Sequence, residues 1–219
     1  MTRTVRRGLA ALLTACGLIG AAALIEPGPA AALGPGQVCV FNAPTGGNGW
    51  IGHDGWGYLI GGTNQWIYGA TENYSGARQI NPGHDIGYWD RVGNWNQMVG
   101  TFSDPSIPTL NHIHRNYYTT YKCYSTSTSS VGAANAARHA ARCGGYDWIT
   151  NNSLHAVYNV LHTYNGSIPM PAPTLSSPNV WYTELGQQRA PAFPGWSSAT
   201  NLPGPNGAGA GSDPGGSCP

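Results

Sequence analysis

Two segments of the chain combine residue types that could carry out nucleophilic chemistry. In the first, His53 stands at the head of an apolar, aromatic-rich run that ends at Ile60. In the second, Ser153 directly precedes residues 154–164, whose apolar side chains recur at helical spacing. The N–H groups at a helix start favour an anionic nucleophile, and a histidine on a neighbouring strand can act as its base. A third polar group must orient that histidine. The candidates for this third group are Asp54, Tyr68 and Glu72.

Each of these residues also has a purely structural interpretation. Ser153 sits where an N-cap belongs, and a serine there satisfies a free backbone N–H of the helix. His53 could be an ordinary loop histidine, and His155 is expected to pack or cap within the first turn of the helix. The sequence leaves the structural and the chemical interpretation of Ser153 open.

A metal site is the other chemical possibility. His112 and His114 would lie on one face of a strand and could bind a metal ion together. The nearest acidic residue along the chain is Asp104, so the set of ligands is incomplete in sequence. We therefore expect neither a metal nor a cofactor.

Three motifs follow one another in the order found in a known superfamily. They are Gly-Gly-Tyr at 144–146, Asn-Ser-Leu-His-Ala-Val at 152–157 and Tyr-Asn-Gly at 164–166, and His53 precedes them before an apolar strand. This pattern resembles the permuted NlpC/P60 superfamily, the lecithin:retinol acyltransferase-like group. That group reads as a helix, a Gly-x-Tyr link, Asn-Cys-x-His-Phe-Val and a helix ending near Tyr-Gly. The resemblance extends from about residue 52 to residue 166, with large insertions between the motifs.

The resemblance implies a permuted papain-like fold and amide or acyl chemistry, with cell-wall peptidoglycan or its peptides as the substrate. It implies His53 as the base, Ser153 at the position of the nucleophile, and Asp54, Tyr68 or Glu72 as the orienting group. Tyr68 falls near the second histidine of the acyltransferase-like branch.

The chain departs from the family at its nucleophile. The family carries cysteine where this chain has Ser153. A serine hydroxyl is far less acidic than a thiol, whose reference pKa is about 8.5. We therefore expect weak or lost hydrolase activity, and the alternative is a non-enzymatic module that binds wall glycan or peptide in the same cleft.

The first 32 residues are typical of a secretory signal. Arg3, Arg6 and Arg7 precede an apolar run from 8 to 25, and Ala-Ala-Ala at 30–32 offers a cleavage site. A membrane anchor and a lipoprotein signal ending at Cys16 are the alternatives. We predict an exported chain, possible wall association and no membrane span after cleavage.

The composition of the mature chain limits its partners. Removal of residues 1–32 leaves seven basic and eight acidic residues, with Lys122 as the sole lysine. No basic run remains, so nucleic acid is a poor partner. A surface with few charges and many glycines and aromatic residues suits a protein that works among neutral polymers. The oligomeric state is left open.

Four cysteines remain after cleavage, which is typical of two disulfides in an exported protein. Four cysteines allow three pairings, and zinc is disfavoured because no C-x-x-C pair is present. The expected pairs are Cys123–Cys143, which would tie a strand to a helix, and Cys39–Cys218, which would hold the C-terminal tail.

The predicted fold class is α+β, with an antiparallel sheet packed against helices. One domain is expected over 33–168, followed by an extended Pro/Gly-rich tail over 169–219 that Cys218 pins. Strands are predicted at 37–42, 55–60, 65–70 and 117–124, with a hairpin turn at 61–64 and a polar loop at 73–88. Helices are predicted at 95–102, 133–143 and 154–164.

Overall fold

The computed structural model describes residues 35–46, 51–73, 75–104, 118–174, 176–188, 192–216 and 218. The protein is α+β, and its main sheet is antiparallel and packs against helices, which confirms the predicted fold class. The predicted signal segment 1–32 with Cys16, and the His112–His114 pair, lie outside the described residues. No helix within the described ranges is long and apolar enough to cross a bilayer.

The described part of the chain contains eight strands and four helices. The strands are β1 (Gly36–Ala43), β2 (His53–Leu59), β3 (Gln65–Thr71), β4 (Gln79–Ile80), β5 (Tyr88–Asn94), β6 (Thr120–Thr126), β7 (Tyr146–Asp147) and β8 (Thr200–Asn201). The helices are α1 (Trp95–Ser103), α2 (Val131–Cys143), α3 (Ser153–Tyr164) and α4 (Pro178–Glu184). The main sheet has the order β5-β3-β2-β1-β6-β8, and β4 pairs with β7 in a separate ribbon.

The predicted hairpin of β2 and β3 lies inside the sheet, between β5 and β1. Its turn is closed by a hydrogen bond from Ile60 N to Gln65 O of 2.8 Å. Gly62 takes a φ of 74° there, a conformation that favours glycine. The Gly-Gly-Thr-Asn turn is therefore correctly predicted from sequence.

Strand alternation gives the sheet two different faces. The α1 face carries residues that pack with α1, among them Cys39, Phe41, Ala43, Trp66, Tyr68 and Ala70. The α3 face carries residues that pack with α3 and α4, among them Val38, Val40, Trp56, Tyr58 and Ile67. Glycines let α1 approach closely, since a Cβ at Gly55 would lie 2.5 Å from the Phe102 ring.

Helix α3 begins one residue earlier than predicted. The N-cap is Asn152, whose side chain accepts hydrogen bonds from Leu154 N and His155 N, and Ser153 is the first helical residue. Asparagine is as good an N-cap as serine, and the pair Asn152–His155 closes a capping box. The structural interpretation of Ser153 as the N-cap is therefore wrong.

The predicted disulfide pairing is also wrong. The bonds are Cys39–Cys123 and Cys143–Cys218. Cys39 and Cys123 lie directly opposite each other on β1 and β6, with their Cα atoms 4.1 Å apart. The register of these two strands brings the sulfurs together, and this register could not be read from residue spacing.

Part of the tail and part of the predicted loop are regular structure. Ser177 caps α4 and Pro178 occupies its first turn, and Trp181 and Tyr182 bury their rings in the core of the α3 face. The loop predicted for 73–88 contains β4, and its last residue begins β5, a strand that the sequence analysis misses. The expectation that Cys218 pins the tail is confirmed.

Candidate functional site

The candidate site is built around a buried histidine–carboxylate pair at one end of the sheet. His53 Nε2 lies 3.3 Å from Glu72 Oε2, and the side chains are 4% and 0% exposed. His53 is the first residue of β2, and Glu72 directly follows β3. Because β2 and β3 are antiparallel neighbours, the start of β2 and the end of β3 lie at the same end of the sheet. The structure thus brings together two of the predicted site residues.

Two aromatic side chains complete the environment of Glu72. Trp89 Nε1 donates to Glu72 Oε1 at 2.8 Å, and the Tyr118 hydroxyl donates to the same oxygen at 3.1 Å. The Tyr118 ring also contacts His53 edge-on. Burial and the nearby Glu72 charge raise the pKa of Tyr118 well above its usual range, so Tyr118 stays a donor.

Sequence reasoning missed both aromatic donors. Trp89 lies in β5, for which no strand is predicted, and Tyr118 precedes β6 without any motif of its own. The residues Tyr88, Trp89 and Val92, which favour strands, are the available signal for β5. No comparable signal marks Tyr118 as a donor.

Tyr68 belongs to the same face but has other partners. Its hydroxyl lies 3.3 Å from Thr101 Oγ1 and accepts a hydrogen bond from Gly211 N at 3.0 Å. Its ring meets Trp89 edge-on. Burial raises the pKa of Tyr68, and the hydrogen bonds from Thr101 and Gly211 oppose that rise. Tyr68 therefore supports the ring that holds Glu72, while Glu72 itself is the group beside His53.

Asp54 points away from His53. Adjacent residues of a strand alternate, so Asp54 lies on the α3 face, where its Oδ1 accepts from Asn42 Nδ2 at 2.9 Å. Its Oδ2 is buried and has no hydrogen-bond partner in the described part of the chain. Burial raises the pKa of Asp54 well above its usual range, against the lowering effects of Asn42 and Lys122. The structure does not bring Asp54 to His53 as an orienting group.

Ser153 lies at the same end of the sheet, on the helix that packs against β2. The Tyr164 hydroxyl, at the end of α3, donates to Leu59 O at the end of β2, so the two elements run alongside each other. The start of α3 therefore lies toward His53. Burial raises the pKa of Tyr146, and the Asn73 side chain, directly after Glu72, opposes that rise as a hydrogen-bond partner of Tyr146. Tyr146 lies in β7, shortly before α3.

The structure does not join Ser153 and His53 directly. The His53 side chain is on the α1 face, whereas α3 packs on the opposite face of the sheet. Among the described residues, no hydrogen bond links the Ser153 hydroxyl to the His53 ring. Ser153 is 3% exposed, so its hydroxyl is nearly closed to solvent.

A rigid turn next to α3 exposes two large apolar side chains. Trp148 is 36% and Ile149 is 56% exposed. Asp147 Oδ1 accepts hydrogen bonds from Ile149 N, Thr150 N and the Thr150 hydroxyl, and these bonds lower the pKa of Asp147. The Arg78 guanidinium lies 5.9 Å from the Trp148 ring. This turn presents an aromatic rim beside the start of α3.

The arrangement around His53 has the elements of a general base. In a histidine–carboxylate pair the carboxylate holds one ring nitrogen and stabilises the imidazolium, while the other nitrogen exchanges a proton with the nucleophile. The donors Trp89 and Tyr118 fix Glu72 in place on its other oxygen. Within the described ranges, no three His, Cys, Asp or Glu side chains cluster to hold a metal ion.

Comparison of the chain with protein-family models, with curated proteins and with solved structures finds no match.

Proposed function

We propose that the chain is an exported, cell-wall-directed protein that has the frame of an amide or acyl hydrolase of the permuted NlpC/P60 type. In this proposal His53 is the base, Glu72 orients it, and Ser153 occupies the position of the nucleophile. The substrate class is the peptide part of peptidoglycan. Native activity is weak because a serine replaces the thiol that this frame requires.

The observation that carries the proposal is the buried contact of 3.3 Å between His53 and Glu72. Burial of a carboxylate without hydrogen-bond donors costs folding free energy. Glu72 accepts hydrogen bonds from one indole and one phenol donor. Such a pair at the head of a strand, followed by a helix that starts toward the same end of the sheet, matches the order of functional groups that the resemblance implies. Two disulfides fit the exported location.

The weak native activity follows from the nucleophile and from its distance to the base. A helix start can bring a thiol into the thiolate range near neutral pH, but it cannot do so for a serine hydroxyl. A serine nucleophile also needs a direct hydrogen bond to its base, and Ser153 lacks one to His53 among the described residues.

The test is the substitution Ser153→Cys, with Ser153→Ala as the matched control. We expect the new thiol to be alkylated with a pKa below the reference value of about 8.5, because the helix start favours the thiolate. We also expect it to release product from cell-wall peptides, and His53→Ala in the same background should abolish that release. A thiol that reacts like a free cysteine and releases nothing would contradict the proposal.

The native protein supplies a second outcome of the same experiment. Robust native activity that is lost in Ser153→Ala would identify a true serine enzyme. In that case the expectation of weak activity is wrong, although the assignment of the site stands.

A second candidate function is a binding module without catalysis, and the exposed turn favours it. Trp148 and Ile149 stand out on a turn that hydrogen bonds hold rigid. Aromatic faces stack on the C–H surfaces of sugars and contribute large contact areas. Co-sedimentation with insoluble peptidoglycan tests this function: Trp148→Ala should weaken binding, whereas Ser153→Ala should not.

A further inference from the structure

The last part of the chain forms a separate covering segment along one edge of the main sheet. We call residues 202–216 together with Cys218 the C-terminal strap. Ser212 exchanges two backbone hydrogen bonds with Val92 of the edge strand β5, at 2.7 and 2.8 Å. Gly211 N donates to the Tyr68 hydroxyl, and Asn206 Nδ2 donates to Asn96 O at 3.0 Å. The strap thus closes the β5 edge.

The strap is closely fitted to this edge. A side chain at position 211 would collide with the Val92 carbonyl, and a Cβ at Gly100 would collide with the Asn206 side chain. Arg142 on α2 binds the Gly216 carbonyl and lies 3.9 Å from Asp213. The fit therefore depends on glycine where strap and edge touch.

The strap is held by the disulfide, by the hydrogen bonds given above and by partly buried Leu202 and Ala210. Every described residue of the strap is exposed or half-buried, and six of them are glycines. Glycine-rich chain loses much conformational entropy when it is ordered, and each hydrogen bond contributes only a small net stabilisation. The Cys143–Cys218 bond ties the end of the strap to α2 and so keeps the strap concentrated at the edge.

The two disulfides differ in their exposure. In the Cys39–Cys123 bond, Cys39 is fully buried and Cys123 is half-buried, whereas both Cys143 and Cys218 are half-buried. Thiol exchange needs access to a sulfur, so a reductant reaches the strap bond first.

We propose that the C-terminal strap is a disulfide-latched, exchangeable strand: when the Cys143–Cys218 bond opens, the strap leaves the β5 edge, and this edge takes up the strap of a second copy of the chain. An uncovered edge strand offers free N–H and C=O groups to another chain. The second copy is the fitting occupant because its strap carries the same glycine for Val92 and the same asparagine for Gly100. Exchange of identical segments between two copies forms the same contacts as within one copy, so no new interface is required. The proposal is independent of the hydrolase frame.

The chemical step is a thiol–disulfide exchange with an external dithiol. One thiolate attacks one cystine sulfur and forms a mixed disulfide, and the second thiol displaces the other cysteine. Two electrons and two protons pass to the cystine, which becomes two cysteine thiols, and the dithiol becomes its disulfide. The oxidised dithiol reverses the step between Cys143 of one copy and Cys218 of another.

The experiment uses the mature chain and limiting dithiol, followed by alkylation, peptide mapping and hydrogen exchange. We expect alkylation of Cys143 and Cys218 before Cys39 and Cys123, and loss of protection at the Val92 amide. Reoxidation with the oxidised dithiol at high protein concentration should give dimers by light scattering. Mixing of isotopically heavy and light chains should then show an interchain Cys143–Cys218 bond.

Two variants keep the outcome decisive. The double variant Cys143→Ser/Cys218→Ser should lose Val92 protection without any reductant. Gly211→Val, whose side chain cannot pass the Val92 carbonyl, should form no exchanged dimer. Unchanged protection of Val92 after complete reduction, or only monomers after reoxidation at high concentration, would overturn the proposal.

Discussion

The main sheet holds its buried carboxyl groups in two different ways. On the α1 face, Glu72 is held by Trp89 and Tyr118 and lies against His53. On the α3 face, Asp90 is also held, by Arg138, Arg142 and the Tyr88 hydroxyl. Asp54 on that face has one donor, and its second oxygen has no partner in the described part of the chain. Two more buried atoms of the α3 face lack a partner in the described part of the chain: Trp56 Nε1 and Thr71 Oγ1.

This difference teaches which buried carboxyl belongs to a site. A buried charge needs donors, and a carboxyl without them takes up a proton instead. The pKa of Asp54 is accordingly raised by burial. The surroundings of Glu72 are therefore built to hold a carboxyl beside a histidine, whereas the surroundings of Asp54 are not.

The largest effect is expected from Glu72→Gln. The amide would place an N–H₂ group against donors or against the His53 ring, and buried partners would be left unsatisfied. We expect a loss of about 2–4 kcal/mol in the free energy of unfolding, measured by urea denaturation. Glu184→Gln, at a half-buried carboxyl at the end of α4, is the control and should stay within about 0.5 kcal/mol. A small loss for Glu72→Gln would remove the contrast between Glu72 and Asp54.

The next effect separates two substitutions of the other carboxyl. Asp54→Asn keeps the shape of the side chain and an acceptor for Asn42, and burial already raises the pKa of the carboxyl that it replaces, so we expect a change within about 1 kcal/mol. Asp54→Ala removes the acceptor of Asn42 and leaves a cavity, so we expect a loss of about 1–3 kcal/mol. Thermal and urea unfolding check both. If Asp54→Asn were as harmful as Glu72→Gln, Asp54 would be a charged group like Glu72.

Much of this arrangement could be predicted from the sequence, because local patterns determine it. The Gly-Gly-Thr-Asn turn predicts the β2–β3 hairpin, and a hairpin brings a residue at its start close to one at its end. His53 and Glu72 are such residues, so their proximity could be predicted from the sequence. Alternation alone also excludes Asp54 as a partner of His53, since neighbours in a strand face opposite sides.

Other features depend on contacts between distant segments and could not be predicted. The pairing of Cys39 with Cys123 follows from the register of β1 and β6, which are far apart in sequence. Tyr118 reaches Glu72 because of the same register. Whether Asn152 or Ser153 is the N-cap depends on a shift of one residue in the start of the helix. Sequence patterns locate helix ends least accurately.

A pH series sharpens the contrast further, with a smaller effect. The pKa of Asp54 is higher in the folded than in the unfolded chain, so its contribution is fully present below the unfolded value of about 3.9. It is lost as the pH rises from there through the folded pKa. We therefore expect the stability of the wild type to fall relative to Asp54→Asn across this range. Denaturation at several pH values measures the difference, and parallel curves would contradict the raised pKa.

The smallest effect is expected from a matched pair of Thr→Val substitutions, one on each face. The Thr71 hydroxyl on the α3 face is buried without a partner in the described ranges, so removing it relieves an unmet polar group while keeping the shape of the side chain. The Thr101 hydroxyl on the α1 helix donates to Gln97 O at 2.7 Å and lies against Tyr68. We expect Thr71→Val to be neutral or stabilising by about 0.5–1 kcal/mol and Thr101→Val to lose about 1 kcal/mol in urea denaturation. If Thr71→Val lost as much as Thr101→Val, a buried water would have to bind the Thr71 hydroxyl, and the α3 face would be as well satisfied as the α1 face.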